Sequence, residues 1–132
     1  MKGTILIVDD NATNRKLAGE VLAYDGFVVA HAGCADEALA AISHQRPDLI
    51  LMDIALPGMD GLTLTRQLKR DIATAPIPVV ALTAFAMKGD DRKAEAAGCD
   101  GYIGKPIDTR TFSRQVEHFL AAARTKDPSV SP

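Results

Sequence analysis

The sequence predicts an α/β domain built on a doubly wound parallel sheet. Three observations carry that prediction. Five short apolar runs are spaced along the chain, none with the polar alternation of a strand half exposed to water. Four stretches with apolar residues at helical spacing, and a fifth and weaker one, lie between and after them. The whole chain has 132 residues, the length of one ordinary domain. Strands that are apolar on both faces suit a sheet covered on both sides, and their alternation with helices gives parallel strands joined by right-handed crossovers.

The elements follow in order. Thr4 to Val8 (TILIV) is a continuous β-branched and leucine run, the first strand. Leu17, Ala18, Val21 and Leu22 then mark one face of a first helix. Phe27 to Ala30 reads as the second strand, and Ala35, Ala38, Leu39 and Ile42 repeat the helical pattern after it. Leu49 to Met52 is the third strand, followed by a helix face of Leu64, Leu68 and Ile72. Val79 to Leu82 is the fourth. After it, Met87 to Ala97 (MKGDDRKAEAA) predicts the weaker helix, with a Gly inside and few large apolar residues. A thinly anchored helix shifts at low cost, so this one reads as mobile or partner-facing. Tyr102 to Ile103 is the fifth strand, and Phe112, Val116, Phe119, Leu120 and Ala123 line the last helix. Pro47, Pro76 and Pro78 fall between elements, where they end helices. The folded domain is thus expected over residues 1–124, with 125–132 (TKDPSVSP) a disordered tail or the start of a linker.

Composition narrows the function. Apolar residues make up 47% and charged residues 24%, a globular balance. The net charge of −2 provides no basic field for a phosphate backbone, which argues against direct nucleic-acid binding through bulk charge. The apolar runs are too short for membrane insertion, and the N-terminus turns acidic where a signal peptide would continue apolar. Cys34 and Cys99 make no disulfide framework, and His31, His44 and His118 show no ligand spacing. A cytoplasmic, reducing setting is expected.

In such a sheet ligands bind beyond the carboxyl ends of the strands, near the point where strand order reverses. The first strand ends in Asp9-Asp10, the third in Asp53, the fourth in Thr83 and the fifth in Lys105 followed by Pro106. Three carboxylates on one rim raise one another's pKa unless a cation compensates. Mg²⁺ is the hard cation for a few carboxylate oxygens and retained waters. Lys105 adds one more positive charge, and such a rim receives an oxygen-rich anion, phosphoryl above all. Asp53 is the best nucleophile, able to form an acyl phosphate, with metal and Lys105 offsetting the charge on the phosphoryl oxygens. Thr83 then donates a hydrogen bond to the new group. Each residue also has a plain structural explanation. Asp9 or Asp10 can cap the following helix. Asp53 precedes a turn with Pro57 and Gly58. Thr83 can be an ordinary strand-end residue and Lys105 a solvated charge. What favours a site is all five at four strand ends of one sheet.

These residues, in LILMDIALPGMDG, ALTA and GYIGKP, resemble the receiver domain of two-component response regulators over about residues 3 to 123. The segments LTAFAMKGD and AGCDGYIGKPI are similar to single-domain cell-division regulators of that family. The resemblance implies a flavodoxin-like sheet of order 2-1-3-4-5 with five helices. It implies that Asp53 accepts a phosphoryl group from a histidine kinase or a histidine phosphotransfer protein. It implies that Asp9, Asp10, Asp53 and the Ala55 carbonyl hold Mg²⁺, that Lys105 contacts the phosphoryl group, and that the Lys105-Pro106 bond is cis. It also implies a switch: Thr83 turns toward the phosphoryl group, Tyr102 rotates inward, and the face of the fourth helix, fifth strand and fifth helix changes shape for a downstream protein effector. On its own Tyr102 reads as a half-buried strand aromatic. Phe85 and Met87, beside that face, read equally as packing or as an apolar partner contact. Ala55 cannot polarise an attacking water and Phe85 can screen the phosphoryl group, so slow phosphate loss is expected.

The enzyme rival is a haloacid-dehalogenase-type phosphatase. It needs an acid and base two residues after its nucleophile, where this chain has Ala55. A nucleotide or flavin binder needs a Gly- or Ser/Thr-rich phosphate loop, whereas VDDNATN has no Gly and two negative charges. A degenerate receiver that only docks would lack hallmark side chains that are all present here. A signalling receiver, with self-phosphorylation and dephosphorylation as its only chemistry, is expected. Whether it acts alone or as part of a hybrid kinase or larger regulator stays open.

Overall fold

The computed structural model describes residues 2–54, 61–83, 90–105 and 107–126. Five strands alternate with five helices: β1 (Thr4–Val8), α1 (Ala12–Tyr24), β2 (Val28–Ala32), α2 (Ala35–His44), β3 (Leu49–Asp53), α3 (Gly61–Arg70), β4 (Val79–Thr83), α4 (Asp90–Ala97), β5 (Gly101–Gly104) and α5 (Phe112–Lys126). All strand pairs are parallel and the sheet order is β2-β1-β3-β4-β5. This is the flavodoxin-like arrangement, with strand order reversing between β1 and β3.

The absence of polar alternation has a direct cause. Successive residues of one strand feed two cores. Ile5 and Ile7 of β1 join Leu49, Leu51, Val80 and Leu82 in a cluster with Leu22 of α1 and Phe112, Val116 and Leu120 of α5. Leu6 and Val8 join Ile50, Met52 and Val79 in a second cluster with Ala38 and Ile42 of α2 and Leu64 and Leu68 of α3. Side chains that alternate across a strand thus find apolar cover on both faces.

Two helices end in the same way. After α1, Gly26 takes φ +99°, its N–H reaches the Ala23 carbonyl, and the Phe27 N–H reaches Leu22. This Schellman closure brings Phe27 onto Leu22 within the core and delivers the chain into β2. Gly98 repeats it after α4, at φ +103°.

Several sequence expectations are corrected in detail. Phe27 is buried but precedes β2, which runs to Ala32. As an edge strand, β2 is only partly covered. Leu17 is 44% exposed, and Ile72 is 91% exposed because α3 stops at Arg70. The last helix runs to Lys126, two residues into the expected tail. Met87 lies outside the described residues; of the helix predicted there, Asp90–Ala97 is described, and buried Ala94 and Ala97 give it small apolar anchors. Among the described residues no helix is long and apolar enough to cross a membrane.

Candidate functional site

The register of the sheet brings the strand ends together. Val8 pairs with Met52, so Asp9 and Asp53 follow side by side. Asp53 pairs with Leu82 and Thr83 with Gly104, which places Thr83 and Lys105 on the same rim.

Asp9 is 1% exposed. Its Oδ1 accepts the Asn11 N–H at 2.9 Å, and its Oδ2 accepts from Lys105 Nζ at 2.9 Å. Helix α1 is capped by Asn11, whose Oδ1 accepts the Asn14 N–H at 3.0 Å. Neither aspartate is therefore the helix cap, and the cap reading of that pair falls. Asp53 is buried at the end of β3, with its Oδ2 3.2 Å from Lys105 Nζ. Asp10 is exposed. The three aspartates each offer a carboxylate oxygen, and these oxygens lie within 4.8 Å of one another.

Lys105 is the counter-charge. Burial alone would lower its pKa, but the hydrogen bond to Asp9 and the charges of Asp53 and Asp9 outweigh this and hold it above the usual lysine range. It is a cation throughout the neutral range. Its own backbone N–H donates to the Thr83 carbonyl at 2.7 Å, tying it to β4. Thr83 is buried as the last residue of β4.

The donor chemistry fits a hard divalent cation. The ligands are oxygen only, two of the carboxylates are buried, and the exposed Asp10 leaves an open side for water. Among the described residues, the ion pairs given for the cluster set one ammonium against its three carboxylates, a balance that suits an added cation.

The structure thus gathers Asp9, Asp10, Asp53, Thr83 and Lys105. Tyr102 stands on β5 opposite Ala81, with its side chain 49% exposed. The readings at Ala55, Phe85, Met87 and Pro106 lie outside the described residues. Cys99 is a partly buried thiol whose pKa is pushed up by burial, and His31 sits away on β2. Sequence reasoning missed two supports. Asn11, a capping residue just before a helical pattern, was legible. Arg15, which donates from Nη1 to the Asp9 carbonyl at 2.5 Å, was not, because that contact exists only once the helix is built.

Comparison with known proteins agrees with this geometry. Residues 5–117 match the response regulator receiver domain. The polar-differentiation response regulator DivK of Brucella anthropi is 42% identical over 123 residues, covering 93% of this chain and 100% of DivK. A putative response regulator from Chloroflexus aurantiacus superposes with a TM-score of 0.86 at 33% identity, over 90% of this chain and 98% of that one. The receiver domain of a signal transduction histidine kinase from Syntrophus aciditrophicus gives 0.83 at 32% identity, over 98% of both chains.

Proposed function

The chain belongs to the response regulator receiver domain family of two-component signalling, and from that premise we propose that Asp53 is its phosphoacceptor. The donor is a histidine kinase or a histidine phosphotransfer protein. An Asp53 carboxylate oxygen attacks phosphorus, the bond from phosphorus to the donor's imidazole nitrogen breaks, and an acyl phosphate forms on Asp53 while the nitrogen regains its lone pair. The observation that carries this reading is Lys105, held at 2.9 Å from Asp9 and 3.2 Å from Asp53 inside a cluster of three carboxylates.

Asp9, Asp10 and Asp53, with the carbonyl of Ala55, are the residues that hold Mg²⁺. When bound, Mg²⁺ supplies charge neutralisation for the transferring phosphoryl oxygens. Asn11 and Arg15 fix Asp9 from the side chain and the main chain respectively. Lys105 needs only to lean from Asp53 toward the new group to contact it. The Thr83 hydroxyl donates to a phosphoryl oxygen, Tyr102 leaves solvent for the space this opens, and the face of α4, β5 and α5 changes shape for a downstream protein. The methyl side chain of Ala55 cannot polarise an attacking water, so the phosphoryl group decays slowly without a partner phosphatase. The protein acts in the cytoplasm as a signalling receiver, its only chemistry performed on itself. The names of its DivK relatives speak of polar differentiation, the process in which its effector is to be sought first.

The test offers Mg²⁺ and a small acyl phosphate to wild type and Asp53→Asn. Intact mass should show one phosphoryl group on wild type and none on the variant, with chemical-shift changes around Tyr102 in wild type alone. Equal phosphorylation of both proteins overturns the assignment.

A further inference from the structure

We propose that Arg15 is a positioning residue: by gripping the main chain of Asp9 it sets the Mg²⁺ affinity of the Asp9, Asp10 and Asp53 cluster. The inference rests on the reading of that cluster as a Mg²⁺ site.

Arg15 lies in α1, six residues beyond Asp9, and its Nη1 donates to the Asp9 carbonyl at 2.5 Å. A Cβ on Gly33 would stand 3.4 Å from the same nitrogen. The guanidinium is therefore lodged between the β1–α1 junction and the β2–α2 turn. That turn is itself pinned, since the Gly33 N–H donates to Glu37 Oε1 at 2.7 Å. Arg15 is half-buried, and its charge, after burial, is the second cause that lowers the pKa of His31. The β1–α1 junction and the β2–α2 turn thus fix where this side chain can be.

The carbonyl it holds belongs to the peptide joining Asp9 to Asp10. A peptide is planar, so fixing its oxygen also fixes the direction in which the Asp10 Cα leaves. Asp9 has further anchors: its N–H bonds to Ala32, and its carboxylate to Asn11 and Lys105. Asp10 is the exposed member of the cluster, and the shared peptide ties it to those anchors. Aligning Asp10 before the cation arrives removes an ordering cost from binding. The guanidinium charge acts the other way, by repelling a cation, but water and salt screen a half-buried side chain. The sign of the change on removing Arg15 therefore decides between orientation and charge.

Mg²⁺ is titrated calorimetrically into the full chain carrying Arg15→Met, with unfolding in urea followed in parallel. Removing a partner that orients metal ligands weakens binding by about tenfold at the low end of such effects, and that is the expected rise in the half-saturating concentration. Arg15→Lys, which keeps a donor, should recover part of the affinity. Phosphorylation at saturating Mg²⁺ should approach the wild-type extent, since the loss lies in binding. If Arg15→Met does not fold, Arg15→Gln, too short to reach the carbonyl, should show the same weakening. Unchanged or tighter Mg²⁺ binding in a folded variant overturns the proposal while leaving the phosphoacceptor reading intact. Absence of Mg²⁺ binding by wild type overturns both.

Discussion

Gly61 opens α3 directly against the strand that carries Asp53, the proposed phosphoacceptor, and Gly61→Ala tests how tightly that junction is built. A Cβ placed there would stand 2.1 Å from the Asp53 carbonyl oxygen and 2.9 Å from both the Asp53 carbonyl carbon and the Ile54 Cα. Real Cβ contacts stay beyond about 3.0 Å, so the two backbones must part by roughly 0.9 Å. Every opposing atom is main chain, and β3 is paired on both sides by β1 and β4, so no side chain can swing away. Two terms compete. Alanine in place of glycine favours a helix interior by up to about 1 kcal/mol, less in the first turn. Overpacking a rigid site costs about 1–3 kcal/mol. The clash should win, leaving the variant about 2 kcal/mol less stable in urea denaturation followed by circular dichroism. The displacement also falls on Asp53, whose carboxylate is set 3.2 Å from Lys105. A misplacement of about 1 Å can cost a reaction about a hundredfold, so phosphorylation by a small acyl phosphate should slow by at least tenfold. Gly104→Ala is the control, because nothing lies within 4 Å of a Cβ there, and its stability should stay within about 0.5 kcal/mol of wild type. A Gly61→Ala protein as stable as wild type, phosphorylated at the same rate, would refute the reasoning.

Two further outcomes are expected. Lys105→Met removes the ammonium that pairs with the buried carboxylates of Asp9 and Asp53 and should cost about 3 kcal/mol without metal, with much of the loss recovered in saturating Mg²⁺; an equal deficit in both conditions would count against charge balance as the cause. Burial, and then the Arg15 charge, lower the pKa of His31, so the folded state resists its protonation. Its contribution to stability is fully present above the unfolded value of about 6.5 and falls away as pH drops toward the folded value. Wild type should therefore lose more stability than His31→Asn between neutral and mildly acid pH, and parallel profiles would remove His31 from the account.

Residues differ in how visible their roles are before folding. The strand ends were legible because a parallel sheet forces side chains such as Asp9, Asp53 and Lys105, each at the end of an apolar run, onto one rim. The two cores were legible for the same reason, since Ile5 and Leu6 must face opposite ways. Ile72 was misread because periodicity cannot sense where a helix stops, and α3 ends two residues earlier. Lys69 could not have been read at all. Its ammonium donates to the Ala75 and Ile77 carbonyls and to Asp100, joining α3 to the segments before β4 and β5. Asp100 also accepts the Val79 N–H, so this latch registers the far end of the sheet from the site. A surface lysine and an aspartate 31 positions apart give no local signal of it. The same holds for Arg15: a polar residue that bonds main chain leaves no pattern in sequence.

Charge explains why these particular side chains must act together. Counted among the described residues, three carboxylates against one ammonium give the rim two negative charges in excess. A divalent cation cancels that excess. Phosphorylating Asp53 removes its own charge and adds about two on the phosphoryl oxygens, so the group would sit in a rim carrying about three negative charges if no cation were bound. Such a product would be strained by repulsion at contact distance. With a cation in place the excess falls to about one. That residual negative charge is what a nearby donor can stabilise, and Thr83, buried on the same rim at the end of β4, is the donor proposed to respond. In the proposed switch the pull on Thr83 would arise only with metal and phosphoryl group both present, and Tyr102, half in solvent two pairs along the β4–β5 ladder, would move only then. A metal-free phosphoryl mimic that carries a single negative charge would lack both the excess and the geometry to drive that movement.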